Sequence, residues 1–284
     1  MQILDLFSKN RPPAHPPQPS KSDRVFQGVF VILAAAMFGL LAIPCFALLW
    51  RAVDYISSDY LMELDPLLAS LFLSLATTLI SILIILLLGT PMAYLLARRE
   101  FPLKKLLAVF VELPIVMPPV VAGLALLAAF GRRGLLGPSL EIFNLQLTFT
   151  PAAVILAQVF VAAPFYIRTA QNRFVTIPKE LEEAAHMDGA NAWIIFHSIF
   201  LPLSAKALLA GIILSWARAL GEFGATILFA GNIMGKTQTI PLFIYSSLER
   251  DLGATYLTAG IMLALAAFLL AWVRLLTRLE GKED

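Results

Sequence analysis

The chain has 284 residues, 59% of them hydrophobic and 14% charged, with a mean hydropathy of +0.82 and a formal net charge of +2. A soluble domain of this length needs far more charge to cover its surface, so the composition excludes an ordinary soluble enzyme and indicates a membrane protein. The net charge decides little, because in a membrane protein the placement of cations outweighs their sum.

Residues 1–27 are polar and proline-rich, with Pro12, Pro13, Pro16, Pro17 and Pro19 inside "RPPAHPPQPSKSDR". Such a stretch favours polyproline II or disorder and cannot bury a core, so it reads as a cytoplasmic tail. A cleaved signal peptide is the rival reading, but the apolar run that follows continues to Trp50, too long for a signal h-region. Six apolar spans are expected at about 28–50, 67–97, 106–130, 151–170, 203–230 and 255–276. Each reaches the roughly 20 residues that a helix needs to cross a bilayer core. The fourth is the shortest and contains Pro164; the third carries Pro114, Pro118 and Pro119, which can bend it around a cavity. The single cysteine, Cys45, lies in the first span, where a buried, inert thiol is expected, and it has no partner for a disulfide within the chain.

The loops assign sides. Before span 1, between spans 2 and 3, between 4 and 5, and after 6 the chain places 15 Lys and Arg residues; the alternate loops hold 5 (Arg51, Arg132, Arg133, Lys236, Arg250). The positive-inside bias puts both termini in the cytoplasm, with Arg132 and Arg133 against the trend. The organisation expected is a tail over 1–27, a membrane domain over 28–276 and a cytoplasmic tail over 277–284.

The loop between spans 4 and 5 holds "IPKELEEAAHMDGANAWIIFHSIFLPL". Pro178 suits the first turn of a helix, and Glu180, Glu182 and Glu183 then lie near its positive end. Leu181, Ala184, Ala185, Ala192 and Phe196 recur at about 3.6-residue spacing, which predicts one amphipathic helix over about 178–198, and Gly189 gives a bend or a close approach. Cations are scarce between Lys179 and Lys206 while acids are plentiful. An interfacial helix on anionic lipid would be basic, so a helix docked in a protein groove fits better.

Glu183-Ala184-Ala185, then Gly189, then Ile199 and Leu201-Pro202 reproduce the EAA signature, EAA-x3-G-x9-I-x-LP. On these residues the chain resembles the permease subunits of binding-protein-dependent ABC importers, over about residues 60–276. The resemblance implies an all-α fold of six transmembrane helices, of the type I importer kind. It also implies a coupling helix around Glu183–Gly189 seated in a separate ATPase subunit. The implied partners are a second copy of the chain, two cytoplasmic ATP-binding cassette subunits and an extracytoplasmic binding protein, in the lipid bilayer of a bacterial or archaeal plasma membrane, with no nucleic acid. ATP and magnesium then belong to the partner ATPase, and no cofactor or metal to this chain.

The fifth span reads "LSWARALGEFGATILFAGNIMGKTQTIPLFIY". Arg218 and Glu222 are four apart on one helical face, and a pair at this depth is costly unless the charges meet each other or water. It is either a structural ion pair or part of a pathway. Gly221 and Gly224 allow close packing or backbone exposure to a pore. The string closely resembles molybdate permeases of the ABC class and their tungstate relatives; sulfate permeases are similar but usually carry tyrosine where this chain has Phe223. By that analogy spans 3 and 5 line the route, with Pro118, Pro119, Arg218, Gly221, Glu222, Gly224 and Thr226 as pathway residues.

"AGNIMGKT", residues 230–237, ends like a nucleotide-binding loop but has Ala230 where the first Gly should be and follows a membrane span rather than a strand. It reads as an external turn. No catalytic residues are expected: the three histidines (His15, His186, His197) lie outside the spans and no HExxH occurs. An ion-coupled secondary transporter, the alternative of another class, needs midplane acids; only Glu222, and less clearly Glu112, qualifies.

Overall fold

The computed structural model describes residues 21–54 and 64–280, and every regular element among them is helical. The proline-rich stretch up to residue 20 and the last four residues lie outside the described residues. The chain divides into two compact units between Trp50 and Arg51. The first carries α1 (Lys21–Asp54), which is apolar all round and exposes Phe30, Phe38 and Phe46, as a helix made for lipid does.

The second unit is a bundle built on α6 (Pro151–Thr176). Thr150 accepts the Ala153 N–H and Pro151 opens the first turn, a standard helix start. The helix runs unbroken through Pro164 for 26 residues, and half of its apolar window is buried, the largest share of any span. The span that looked weakest in the sequence is thus the centre of the bundle. Pro164 is tolerated because packing, not the missing hydrogen bond, decides whether a membrane helix continues. Small residues Ala153, Ala157, Ala162 and Ala170 line its buried faces.

Two long helices pack on α6: α2 (Leu64–Arg98) and α9 (Leu201–Leu220). On α2, Ser74, Thr77, Thr78 and Ser81 are buried and form polar glue. Ser81 Oγ donates to Gln158 Oε1 at 2.9 Å, Gln158 Nε2 donates to Thr78 Oγ1 at 3.2 Å, and Ser74 Oγ accepts the Ile240 N–H at 2.8 Å. On α9, Ser215 Oγ donates to the Ala162 carbonyl at 2.9 Å.

Among the described residues five helices are long and apolar enough to cross a membrane: Phe26–Asp54, Asp65–Arg98, Pro151–Thr176, Ala192–Leu220 and Leu252–Ala271. The third expected span, 106–130, is not one helix. It divides into α3 (Lys104–Val116) and α4 (Pro119–Phe130). Met117 and Pro118 each precede a proline and are extended, with ψ of 131° and 137°. A short α5 (Gly137–Ile142) follows before α6. The fifth span, expected to 230, also breaks: α9 stops at Leu220 and a separate α10 (Gly224–Phe229) begins. Beyond it, α11 (Ile240–Leu248) fills a stretch expected to be loop, and α12 (Leu252–Glu280) is the last described element.

The two broken pieces pack on each other. A Cβ placed on Gly224 would lie 2.5 Å from Pro119 Cβ, and one on Gly123 would lie 2.9 Å from Leu228 Cβ and 3.0 Å from the Ala225 backbone. Ala122, Leu126, Ala225 and Phe229 form a core there with Ala153, Ala157 and Val161 of α6.

Candidate coupling segment and translocation face

The loop after α6 is a defined structure. Pro178 sits at the cap and α7 spans Lys179–Met187, with Glu180 and Glu182 in its first turn. It ends in a Schellman turn. The Gly189 N–H donates to the His186 carbonyl at 3.0 Å, and the Ala190 N–H donates to the Ala185 carbonyl at 2.9 Å. Gly189 has φ 83°, the left-handed conformation that glycine adopts without penalty. A side chain there would meet open space, so the requirement at this position is backbone conformation, not room. The spacing from Ala185 to Gly189 is that of the third-last residue of a helix to its left-handed stop.

This stop corrects the expectation of one helix over 178–198. Ala192 and Phe196 do not extend the stripe of α7. They belong to a new helix, α8 (Ala192–Ile195), started by Asn191, whose Oδ1 accepts the Ile194 N–H at 2.9 Å. α8 runs through a π-helical turn, Phe196–Phe200, into α9, with the Leu201 N–H bonded to the Phe196 carbonyl. Pro202 cannot supply the N–H that an α-helix would bring to the Ser198 carbonyl, and its ring clashes there, which accounts for the wider turn. The Leu201-Pro202 end of the signature therefore encodes a change of helical winding.

The segment is anchored from α2. Arg98, with 5% of its side chain exposed, donates through Nη2 to the Ile177 carbonyl, lies 3.9 Å from Glu182 Oε2, and stands 4.7 Å over the Phe200 ring. One turn back, Tyr94 meets Phe196 and Phe200 edge-on at 5.3 Å and 5.1 Å between ring centroids. Arg173 of α6 adds two bonds to the Leu203 carbonyl at 3.0 Å and 2.6 Å. Sequence reading counted Arg98 only as a topological charge; its role depends on contacts with residues 79 to 102 positions away in the chain, which no local pattern reveals.

The opposite face of this segment has no partner within the described residues. Glu183 and Ala184 are exposed, and Leu181, Met187 and Trp193 expose 43%, 88% and 71% of their surfaces. Ala185 is half-buried against the core, Leu201 is half-buried and Pro202 exposed. Exposed apolar side chains interspersed with Glu180, Glu183 and Asp188 are the composition of a protein-docking surface.

At the other breaks, Arg218 Nη1 donates to Glu222 Oε2 at 2.7 Å, while Glu222 Oε1 accepts the Ala225 N–H at 2.7 Å. Glu222 is 1% exposed, and its carboxylate ties the end of α9 to the start of α10. Gly224 is buried against Pro119 of α4 and Thr226 is buried, whereas Pro118, Pro119 and Gly221 are exposed and Arg218 is partly so. The other intramembrane carboxylate considered, Glu112 of α3, pairs with Arg168 of α6 at 3.0 Å. Among groups outside the spans, Glu100 has its carboxyl held below the usual range by a hydrogen bond from Lys104 at 2.8 Å.

"AGNIMGKT" is a turn between α10 and α11. Gly231 and Gly235 have φ of 72° and 70°, and buried Thr237 Oγ1 accepts the Ile233 N–H at 3.0 Å and donates to the Gly231 carbonyl. Among the described residues no group of three or more His, Cys, Asp or Glu side chains is placed to hold a metal ion.

Three comparisons bear on this arrangement. Residues 86–279 match the family model described as "Binding-protein-dependent transport system inner membrane component". The chain is 37% identical over 257 residues to the probable transport system permease protein NifC of Clostridium pasteurianum, covering 90% of each chain. It is 44% identical over 205 residues to the molybdenum transport system permease protein ModB of Haemophilus influenzae, covering 72% of this chain and 88% of that one. A solved bacterial alginate ABC transporter, in complex with a pentasaccharide-bound periplasmic protein, has a chain of similar fold: TM-score 0.70 at 16% identity, over 90% of this chain and 95% of that one.

Proposed function

Because the chain belongs to the family of binding-protein-dependent transport system inner membrane components, and is thus the permease subunit of an ABC importer, we propose that it carries a tetrahedral oxyanion, molybdate or its close analogue tungstate, by alternating access. It works as a transport subunit and makes or breaks no covalent bond. The cargo reading is supported by the molybdenum-transport relative and by the stretch from Ala217 to Asn232, which carries Phe223 between Glu222 and Gly224. Sulfate, a dianion of the same shape, is the second reading.

The observation that carries the mechanism is the exposed apolar face of α7 and α8, held on its inner side by Arg98 and the Tyr94–Phe200 cluster. In the proposal this segment, with Glu183, Ala184, Ala185, Gly189, Leu201 and Pro202, seats in the cleft of a partner ATPase that binds ATP and magnesium. Two copies of the chain enclose the route, and an extracytoplasmic binding protein delivers the oxyanion. The reading of both termini as cytoplasmic is supported by the cations at the start of α1, around the α2–α3 junction, near the end of α6 and in α12. ATP binding moves the clefts, α7 follows, and the anchor at Arg98 passes the movement to α2. A ligand shifts such an equilibrium only by its differential affinity for the two states, so the α7 contact differs between them.

A secondary transporter fits less well, because Glu112 and Glu222 are both committed to arginines. The test is reconstitution of the chain with its ATPase and binding protein in liposomes. Molybdate uptake is expected only with ATP inside, and Met187→Cys is expected to crosslink to the ATPase. Uptake that persists without the ATPase, or a Met187 thiol that reaches only lipid reagents, would overturn the reading.

A further inference from the structure

Arg168 and Glu112 stand at the same depth on neighbouring helices. Glu112 is eight residues inside the start of α3 and Arg168 eight residues before the end of α6, each about 12 Å along its helix at 1.5 Å per residue. Both remain open: 40% of the Arg168 side chain and 44% of Glu112 are exposed. The Arg218–Glu222 pair differs, since its carboxylate is sealed. A half-open ion pair at this depth is costly against hydrocarbon and is tolerated where it faces water or another polar surface.

The surroundings extend the pair in one direction. Arg168 Nη1 lies 3.0 Å from Glu112 Oε1 as an ion pair and donates to Gln171 Oε1 at 3.2 Å. Gln171 then lines a cavity of ≈ 460 Å³ with Lys104, Lys105, Glu100, Phe101 and Leu96. Lys104 is engaged by Glu100, and Lys105 has no such partner among the described residues. The Nε and Nη2 groups of Arg168 carry no hydrogen bond among the described residues, so the guanidinium keeps donors free for a second acceptor. A planar guanidinium with free N–H groups suits a tetrahedral oxyanion. Glu112, on the same nitrogen, opposes tight retention, as a route must bind its cargo well enough to admit it and weakly enough to release it.

We propose that Arg168, moderated by Glu112, is an anion station on the translocation route, and that the cavity beyond Gln171 is its exit toward the side carrying α7. This rests on the reading of the chain as an oxyanion permease; none of Arg168, Glu112 and Gln171 belongs to the family signature or to the pathway set expected from the sequence.

The test uses the full complex in liposomes on a Cys45→Ser background, since Cys45 is the single cysteine of the chain. Gln171→Cys, which keeps the Arg168–Glu112 pair, is expected to react with an anionic, membrane-impermeant thiol reagent added from the ATPase side, and molybdate is expected to slow the reaction. Arg168→Cys reads access to the same face without the guanidinium, and there molybdate is expected to give no protection. Reaction only with a lipid-soluble maleimide, or protection by the second copy in every state, overturns the proposal. Arg168→Gln is expected to lower uptake by about tenfold or more, the scale of one charge-assisted hydrogen bond, while ATP hydrolysis stimulated by the binding protein persists. Arg168→Lys is expected to recover most of that loss, and Glu112→Gln to slow turnover while strengthening protection by molybdate. Undiminished uptake by Arg168→Gln overturns the station. Absence of ATP-dependent uptake by the unaltered complex would overturn the permease reading instead, so the two failures are separable.

Discussion

Arg98 and Glu182 approach to 3.9 Å although one ends α2 and the other begins α7, and the same guanidinium reaches the Ile177 carbonyl and the Phe200 ring. A single side chain thus joins a membrane helix to the segment proposed to meet the ATPase. The carbonyl bond and the aromatic contact outweigh the ion pair, which is long and partly open to water.

Replacing Arg98 by Ala is expected to leave the Ile177 carbonyl unpaired, at about 1–3 kcal/mol, and to loosen α7 from α2. Transport should fall while ATP hydrolysis by the assembled complex continues. The ratio of molybdate imported to ATP hydrolysed measures this, and an unchanged ratio would show that α2 takes no part in coupling.

Gly189 separates conformation from space. Gly189→Asn should be tolerated, because asparagine accepts a left-handed backbone. Gly189→Ala should weaken the end of α7 by about 1 kcal/mol, and Gly189→Val by more. Transport assays on the three variants should follow that order; equal activity of Val and Gly would mean that the Schellman turn is dispensable.

Gln158 bonds Ser81 and Thr78 of α2 from the middle of α6. Hydrogen bonds between membrane helices contribute on average about 0.6 kcal/mol each, so Gln158→Leu should cost about 1 kcal/mol plus the cost of the buried Thr78 hydroxyl losing its partner, while Ser81 keeps the Thr77 carbonyl. Unfolding of the detergent-solubilised protein by a denaturant titration would show this as a lower midpoint without loss of insertion.

Gly224→Ala sets a methyl group 2.5 Å from Pro119 Cβ, where α10 and α4 cannot part without disturbing the α6 core. Overpacking of this kind costs about 1–3 kcal/mol. The variant should insert but show a lowered thermal midpoint, whereas Gly221→Ala, whose Cβ meets only the Ala217 carbonyl at 3.5 Å, should behave as the parent.

Hydropathy alone located five of the crossing helices, and the spacing from Glu183 to Pro202 located the segment between α6 and α9. Both signals are local, as segment length and turn chemistry are. The rest depends on tertiary partners. Pro164 counted against α6 because sequence shows the lost hydrogen bond but not the packing that compensates it. Pro118 and Pro119 showed that the third span would bend, but not that its second half would lie against Gly224. Arg218 and Glu222 were legible as an i,i+4 pair; that the carboxylate would also hold the Ala225 N–H required the chain to break at Gly221–Phe223. The Glu112–Arg168 pair joins residues 56 positions apart and has no sequence signature.

The π turn at Phe196–Phe200 sets the phase of the helix it interrupts. One surplus residue in an otherwise α-helical rod rotates everything before it by about 100° relative to everything after it. Trp193, 71% exposed, lies on the far side of that offset, and with ordinary winding the indole would swing about a quarter turn around the rod axis. The angular setting of the contact surface is therefore written into the five residues beneath it. Excising one residue between Phe196 and Phe200 would turn the surface away while leaving its composition untouched.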